Sequence, residues 1–319
     1  MNGRKRALLM VAFGGPTPGC CDRFTPCPGE AYCFVSGILG HNPARRRRIA
    51  EVAAHYADFG GYSRFNDYTL EQAQALAGEL ASRGLDVPVW CGYHHWRPYV
   101  RDIISEMKTA GMGEVVVLVM APHQSSVSWD LYLRIVGEGI EQAGAGAPTV
   151  IGVVEPWWKE AGFIEAIGDR IAEAGRREGI DLRAPETALL LTAHAVPESL
   201  SRTAPYCRQV EETAALVACR LGAADYRVAY QSQSGDSTVP WTKPDVEDVI
   251  AGYAKAGKSI IVSCAVGFLC DNIEVLYDLG VEGARCAAEN GVRFVRAESV
   301  HSHPAFIRML ADRVTDKLD

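Results

Sequence analysis

Eight short apolar runs recur along the chain, at 7–13, 87–93, 115–120, 150–154, 188–192, 226–230, 260–265 and 292–295. They are continuous rather than alternating, as strands covered on both faces are. Between them lie amphipathic segments with helical spacing, at 70–83, 99–110, 162–176, 209–220 and 245–256. Alternation of this kind predicts an α/β architecture with parallel strands and right-handed crossovers. A long helical stretch at 159–177 followed by the polar loop 178–185 offers a divide, with about four strands on either side. The segments VVVLVMAPHQSS and ALLLTAHAVPES both run from an apolar strand through Ala to His and a hydroxyl-bearing loop. Two similar Rossmann-like, doubly wound domains are expected, each a four-stranded parallel sheet flanked by helices. The first spans 1–158 and the second 159–302, with a C-terminal helix at 303–319 packing back on the first.

Composition changes this picture little. The chain has 319 residues, 48% hydrophobic and 22% charged, which suits two soluble domains with ample cores. A net charge of -7 argues against nucleic acid as a partner. The start, MNGRKRALLMVAFGG, reads as a first strand rather than a secretory leader, because it runs straight into Gly-Gly-Pro. No run approaches the roughly 18 apolar residues of a membrane span. Stable membrane insertion is therefore not expected, and the expected compartment is the cytoplasm. There the ten cysteines are reduced thiols. Cys20, Cys21, Cys27 and Cys33 stand apart because they share one Pro/Gly-rich loop, where they could hold a cluster or zinc. No GxGxxG or P-loop pattern follows any strand, so no nucleotide cofactor is expected.

In doubly wound sheets ligands bind beyond the carboxyl ends of the strands. Four polar segments fall there. His194 ends a strand before Pro197 and Glu198, and a neutral imidazole there can accept a proton or bind a metal. Glu274, Asp278 and Glu282 recur at i, i+4 and i+8 after a strand and Gly267. Placed on one helical face they repel, which is tolerable if they are solvated and useful if they lead cations or protons. His123, Ser125 and Ser126 lie in a polar loop in the first half. Tyr230 and Gln231 precede Trp241, which sits among prolines that would make a shaped wall. A solvated acidic face, ordinary turns and a satisfied strand-end histidine are the plainer readings of the same residues.

Taken together these residues resemble the ferrochelatase family. The resemblance runs from LLMVAFGGP through HYADFGGYS, APHQSSVS, LTAHAVPES, YQSQSG and PWTKPDV to VGFLCDNIEVLYDLG and HPAFIRML. Within the family, APHQSSVSWDLY looks most like the bacterial branch that uses coproporphyrin III. The resemblance implies two four-stranded parallel domains of chelatase type, and insertion of Fe²⁺, as substrate, into coproporphyrin III or protoporphyrin IX in haem biosynthesis. It implies that His194 and Glu274 are the paired inner residues, expected to face each other with the porphyrin between them. Asp278 and Glu282 would form the metal path. Phe13, His123, Ser125, Ser126, Tyr230, Gln231, Trp241 and Phe268 would contact the porphyrin.

Three residues depart from the family pattern. Phe13 stands where the coproporphyrin branch often has Tyr. Asn272 stands where the family has His in an Asp-His pair, and Arg64 where it has Pro. Some members carry a [2Fe–2S] cluster that uses C-terminal cysteines, but here none follows Cys286. Any cluster would need the four N-terminal cysteines. The porphyrin and ferrous iron are the expected partners, and the chain is expected to be a monomer or weak homodimer. The competing readings are a chelatase for cobalt and another tetrapyrrole, or an inactive porphyrin- or haem-binding relative.

Overall fold

A computed structural model describes residues 5–19, 27–201, 205–233 and 239–318. The chain divides into two compact units. One comprises Met1–Met120, Asp130–Glu155 and Ala311–Asp319, the other Ala121–Trp129 and Pro156–Leu310. The dividing points differ in detail from a single cut near residue 158. The loop Ala121–Trp129 goes with the second unit, and the last helix is shared between the units at Leu310 and Ala311.

In the first unit the strands are β1 (Lys5–Ala12), β2 (Val89–Tyr93), β3 (Met112–Val119) and β4 (Thr149–Val153). They form one parallel sheet in the order β2-β1-β3-β4. The central position of β1 explains its unbroken apolar run: every residue from Ala7 to Ala12 is buried, whereas Thr149, Val150 and Ile151 of the edge strand β4 are exposed. The helices are α1 (Glu30–Ile38), α2 (Arg46–Ala57), α3 (Phe65–Ser82), α4 (Val100–Thr109) and α5 (Trp129–Ala143). Of these, α1, α2 and α5 go beyond the segments that the spacing predicts. Only Ile49 and Tyr56 of α2 are buried, so its apolar signal is sparse. Helix α5 carries two glycines that weaken its helical signature. Gly139 is there for packing, since a Cβ would meet the Ile104 side chain of α4 at 2.7 Å.

The second unit repeats the plan. Strands β5 (Thr187–His194), β6 (Tyr226–Gln231), β7 (Ile260–Cys264) and β8 (Arg293–Arg296) pair in parallel in the order β6-β5-β7-β8. Its helices are α6 (Ala161–Glu178), α7 (Glu198–Ser201), α8 (Tyr206–Leu221), α9 (Val246–Lys255), α10 (Ala284–Glu289) and α11 (Pro304–Leu318), the last running into the first unit. Each sheet thus has its first strand beside its second and third, and its fourth at an edge. One core lies between β5–β7 and α9, built from Leu190, Ile250, Tyr253, Ile261, Val275 and Leu279. The two parallel sheets flanked by helices are as the sequence pattern predicts, and all eight apolar runs become strands. The acidic segment differs from expectation. Val275–Gly283 forms a π-helix that continues into α10, rather than an α-helix. The π-helix is rare, and its usual single-turn form inside α-helices is frequent at functional sites.

Candidate functional site

The site is built at the carboxyl ends of β5, β6 and β7 of the second unit. His194 is the final residue of β5. Its Nδ1 lies 2.5 Å from the carbonyl oxygen of Ala195. A carbonyl only accepts, so Nδ1 carries a proton and donates, leaving Nε2 outward. The backbone carbonyl of His194 accepts from the Tyr206 hydroxyl at 3.0 Å. Two constraints therefore hold the imidazole, one on the ring and one on its backbone.

Glu274 begins the acidic helix. Its Oε2 is 3.7 Å from His194 Nε2, and both side chains are 40% exposed. The pair is open to a substrate, and 3.7 Å is longer than a hydrogen bond, so neither group satisfies the other directly. A divalent ion with bonds of about 2.1 Å can reach two donors up to ~4.2 Å apart, so one ion fits between them. A flat ring does not, because it needs roughly 7 Å, two carbon contact distances of about 3.5 Å. The expectation that the two side chains bracket a porphyrin from opposite sides is therefore corrected. They stand side by side in one unit.

Gly267 makes this approach geometrically accessible. Its N–H donates to the Thr192 carbonyl at 3.1 Å, and a Cβ at this position would sit 2.7 Å from the Cβ of Ala193. The loop after β7 can lie against the end of β5 only because position 267 lacks a side chain. Phe268, half-buried, then comes within 6.4 Å of the His194 ring, centroid to centroid. Asn272 accepts the Val275 N–H at 3.0 Å and so caps the helix that carries Glu274. Asn, in place of the family's His, serves here as that cap. Asp271 is buried and ion-paired to Arg296 at 2.8 Å, and it also accepts the Ser299 N–H at 3.0 Å. His301, Arg296 and these hydrogen bonds hold its carboxyl well below the usual carboxylate range despite burial.

Behind the pair, Asp278 accepts from the Ser232 hydroxyl in a short hydrogen bond and from Gln231 Nε2 at 3.4 Å. Burial pushes its carboxyl up to about 7, with Glu274 and Glu282 adding to the shift and Ser232 and His194 opposing it. Ser232 adopts φ 62, a left-handed conformation unusual for serine. It follows β6 directly, the position at which strand-end chemistry is to be sought, and neither it nor Thr192 is among the residues the sequence marks for substrate or metal.

The remaining expected contacts sort by burial. Trp241 is half-buried on a short segment that pairs with 196–198: Thr242 N–H donates to Val196 C=O and Glu198 N–H to Pro240 C=O, each at 2.9 Å. Tyr230 and Gln231 are each 3% exposed, which rules them out as a substrate wall. His123 is buried too. Its Nε2 is 3.0 Å from Thr213 Oγ1, and burial lowers its pKa to about 3, so it is neutral and enclosed rather than poised for substrate carboxylates. Ser125 is buried and accepts the Val127 N–H at 3.2 Å, whereas Ser126 is exposed. Phe13 belongs to the first unit and packs on His95 at 4.5 Å and Phe34 at 6.1 Å.

Arg64 is on the surface, over the Tyr68 ring and paired with Asp67 and Glu71. Arg46, Arg47 and Arg48 open α2, where Arg47 and Arg48 pair with Glu51. Cys20 and Cys21 lie outside the described residues; Cys27 is exposed and Cys33 fully buried in α1. Among the described residues no group of three or more His, Cys, Asp and Glu is arranged to hold a resident metal. No described helix is long and apolar enough to cross a membrane.

The family model Ferrochelatase matches residues 29–318. The chain is 33% identical to a coproporphyrin III ferrochelatase of Mycolicibacterium vanbaalenii, over 97% of this chain and 89% of the relative. It is 32% identical to a ferrochelatase of Rhodopirellula baltica, over 98% and 86%. Among solved structures, SirB from Bacillus subtilis superposes with a TM-score of 0.57 at 12% identity, covering 98% of this chain and 95% of that one. CbiX, described as the terminal enzyme of sirohaem biosynthesis in denitrifying bacteria, does so at 0.54 and 15%, covering 98% and 100%. At such identities the structural likeness speaks for the fold alone.

Proposed function

The chain belongs to the ferrochelatase family of metal-inserting enzymes, and from that premise we propose that it inserts ferrous iron into coproporphyrin III, with His194 and Glu274 carrying the chemistry. A free-base porphyrin holds two inner N–H protons that must leave before the ring nitrogens can bind iron. His194, with Nδ1 engaged by Ala195 and Nε2 open, accepts a pyrrole proton as a general base. Glu274 stabilises the resulting imidazolium and shares the arriving ion with the imidazole once the proton has moved on. Asp278, which burial pushes up to about 7, can take that proton in its ionised form and release it to water, and the imidazole so freed takes the second pyrrole proton in the same way. The half-buried Phe268 and Trp241 supply apolar surface whose contact with the macrocycle can favour its bent form.

The observation that carries the reading is the 3.7 Å separation of two exposed donors with no direct bond between them. The choice of coproporphyrin III rests on the names of the relatives and on the APHQSSVSWDLY segment.

An anaerobic assay with Fe²⁺ and with Co²⁺, on coproporphyrin III, protoporphyrin IX and sirohydrochlorin, tests it. Iron insertion fastest into coproporphyrin III is expected. His194→Ala is expected to lower turnover by about 10²–10⁴-fold while porphyrin binding, followed by absorbance, persists. Near-normal insertion by that variant would remove the role given to His194.

A further inference from the structure

His194 and Glu274 stand 3.7 Å apart without a hydrogen bond between them, so some other contact must set their spacing. Gln231 is the residue placed to do so. It ends β6 directly beside His194 in the parallel register, and its carbonyl accepts the Ala195 N–H at 2.8 Å. Its side chain spans from β5 to the acidic helix. Oε1 accepts from the Thr192 hydroxyl at 2.7 Å, two residues before His194 on β5. Nε2 lies 3.3 Å from the backbone carbonyl of Glu274 and 3.4 Å from Asp278 Oδ2.

The orientation of the amide follows from its neighbours. An amide nitrogen has two hydrogens to give, and here it faces two acceptors. Turned the other way, Oε1 would confront a carbonyl and a carboxyl oxygen that already accepts from Ser232. The Thr192 hydroxyl, which is fully buried, can donate to Oε1 and so selects the productive orientation.

We propose that Gln231 is a positioning residue for metal insertion: by tying the strand of His194 to the first turn of the helix of Glu274, it sets the separation of those two side chains. This rests on the functional reading above. The tolerance is small. Two bonds of about 2.1 Å span at most ~4.2 Å, so a displacement of roughly 1 Å from 3.7 Å takes the pair out of reach of a shared ion. Because Gln231 is 3% exposed and Thr192 0%, neither is available to a porphyrin, and their loss should leave porphyrin affinity alone.

The test compares Thr192→Val, Thr192→Ser and Gln231→Met in two measurements on the full chain. The first is the kcat and porphyrin KM of insertion. The second is Co²⁺ binding to the porphyrin-free protein, read by its visible absorption, with His194→Ala as the control that loses it. Gln231→Met is expected to lower kcat by about 10–100-fold with porphyrin KM unchanged within roughly twofold, and to weaken Co²⁺ binding by about tenfold. Thr192→Val should follow in the same direction. Thr192→Ser, which keeps the hydroxyl, should behave as the parent.

Equal behaviour of the Val and Ser variants overturns the proposal, as does unchanged Co²⁺ affinity in Gln231→Met or in Thr192→Val should the former not fold. If the parent protein inserts no metal into any porphyrin but the Co²⁺ pattern holds, the functional reading fails while the positioning of the pair by Gln231 stands.

Discussion

Asp278 is the residue on which folding and proton handling meet. A carboxyl near 3.8 in the unfolded chain is raised to about 7 in the folded one. Below pH 3.8 both states are protonated and the residue is neutral in its effect. Between pH 3.8 and 7 the unfolded state releases a proton that the folded state retains, so stability falls as pH rises, and above 7 the penalty is constant. At about 1.4 kcal/mol per unit, the penalty amounts to a few kcal/mol. Asp278→Asn removes the titration. Its denaturation midpoint, relative to the parent, is expected to improve steadily from pH 4 to 7 and then level off. A constant difference across that range would mean that the Asp278 carboxyl is not shifted. The sequence marks Asp278 as part of an acidic row. It does not show that burial, rather than solvation, is what this row provides at its centre.

At the scale of elements, the turn from β7 into the acidic helix is the most constrained piece of the site. Gly267→Ala places a methyl group 2.7 Å from Ala193 Cβ and 2.9 Å from its Cα, so β5 or the loop must move. A loss of about 1–3 kcal/mol in urea unfolding is expected, together with slower insertion, because the strand displaced is the one ending in His194. Asn272→Ala removes the acceptor of the Val275 N–H and is expected to cost about 1 kcal/mol. Circular dichroism during urea titration checks both.

The eight strands were legible because a strand covered on both faces demands a continuous apolar run, as in β1 and β5. The capped start of the acidic helix was not. Asn272 and Glu274 are consistent with an α-helix by spacing alone, and the π form of Val275–Gly283 depends on what packs around it, including Phe294 and Val246 against Gly283.

For the whole molecule, acid is the expected weak point. His95 in the first unit and His123 in the second are each held neutral by burial, with pKa values lowered to about 3. As pH falls from 6.5 towards 3, the unfolded chain binds protons at these residues and the folded chain does not. Stability therefore drops by up to about 1.4 kcal/mol per pH unit for each histidine. Denaturant midpoints measured from pH 7.5 to 5 are expected to decline below 6.5. The decline should be shallower in His123→Asn, whose midpoint at pH 7.5 reports the loss of the Thr213 contact separately. Asp278 opposes this trend over the same range, so the profile is read in the Asp278→Asn background, where a flat course would mean that these imidazoles are reached by water.

His123 also shows where the chain alone misleads. Its place after a strand, in a loop rich in hydroxyls, resembles that of His194. Yet one imidazole is enclosed against Thr213 and the other is open beside Glu274.

By itself the sequence determined that two parallel sheets would form, because burial of a β-strand on both faces leaves its mark in consecutive residues. It also determined that the chain carries a family's set of motifs, since those residues are read directly. Tertiary structure alone decided that His194 and Glu274 would be neighbours rather than opposing walls, and that Tyr230 and His123 would be enclosed. It also decided that Gln231 would bridge strand and helix. Each of these depends on distances between residues far apart in the chain, and such distances are set by packing, which no local pattern encodes.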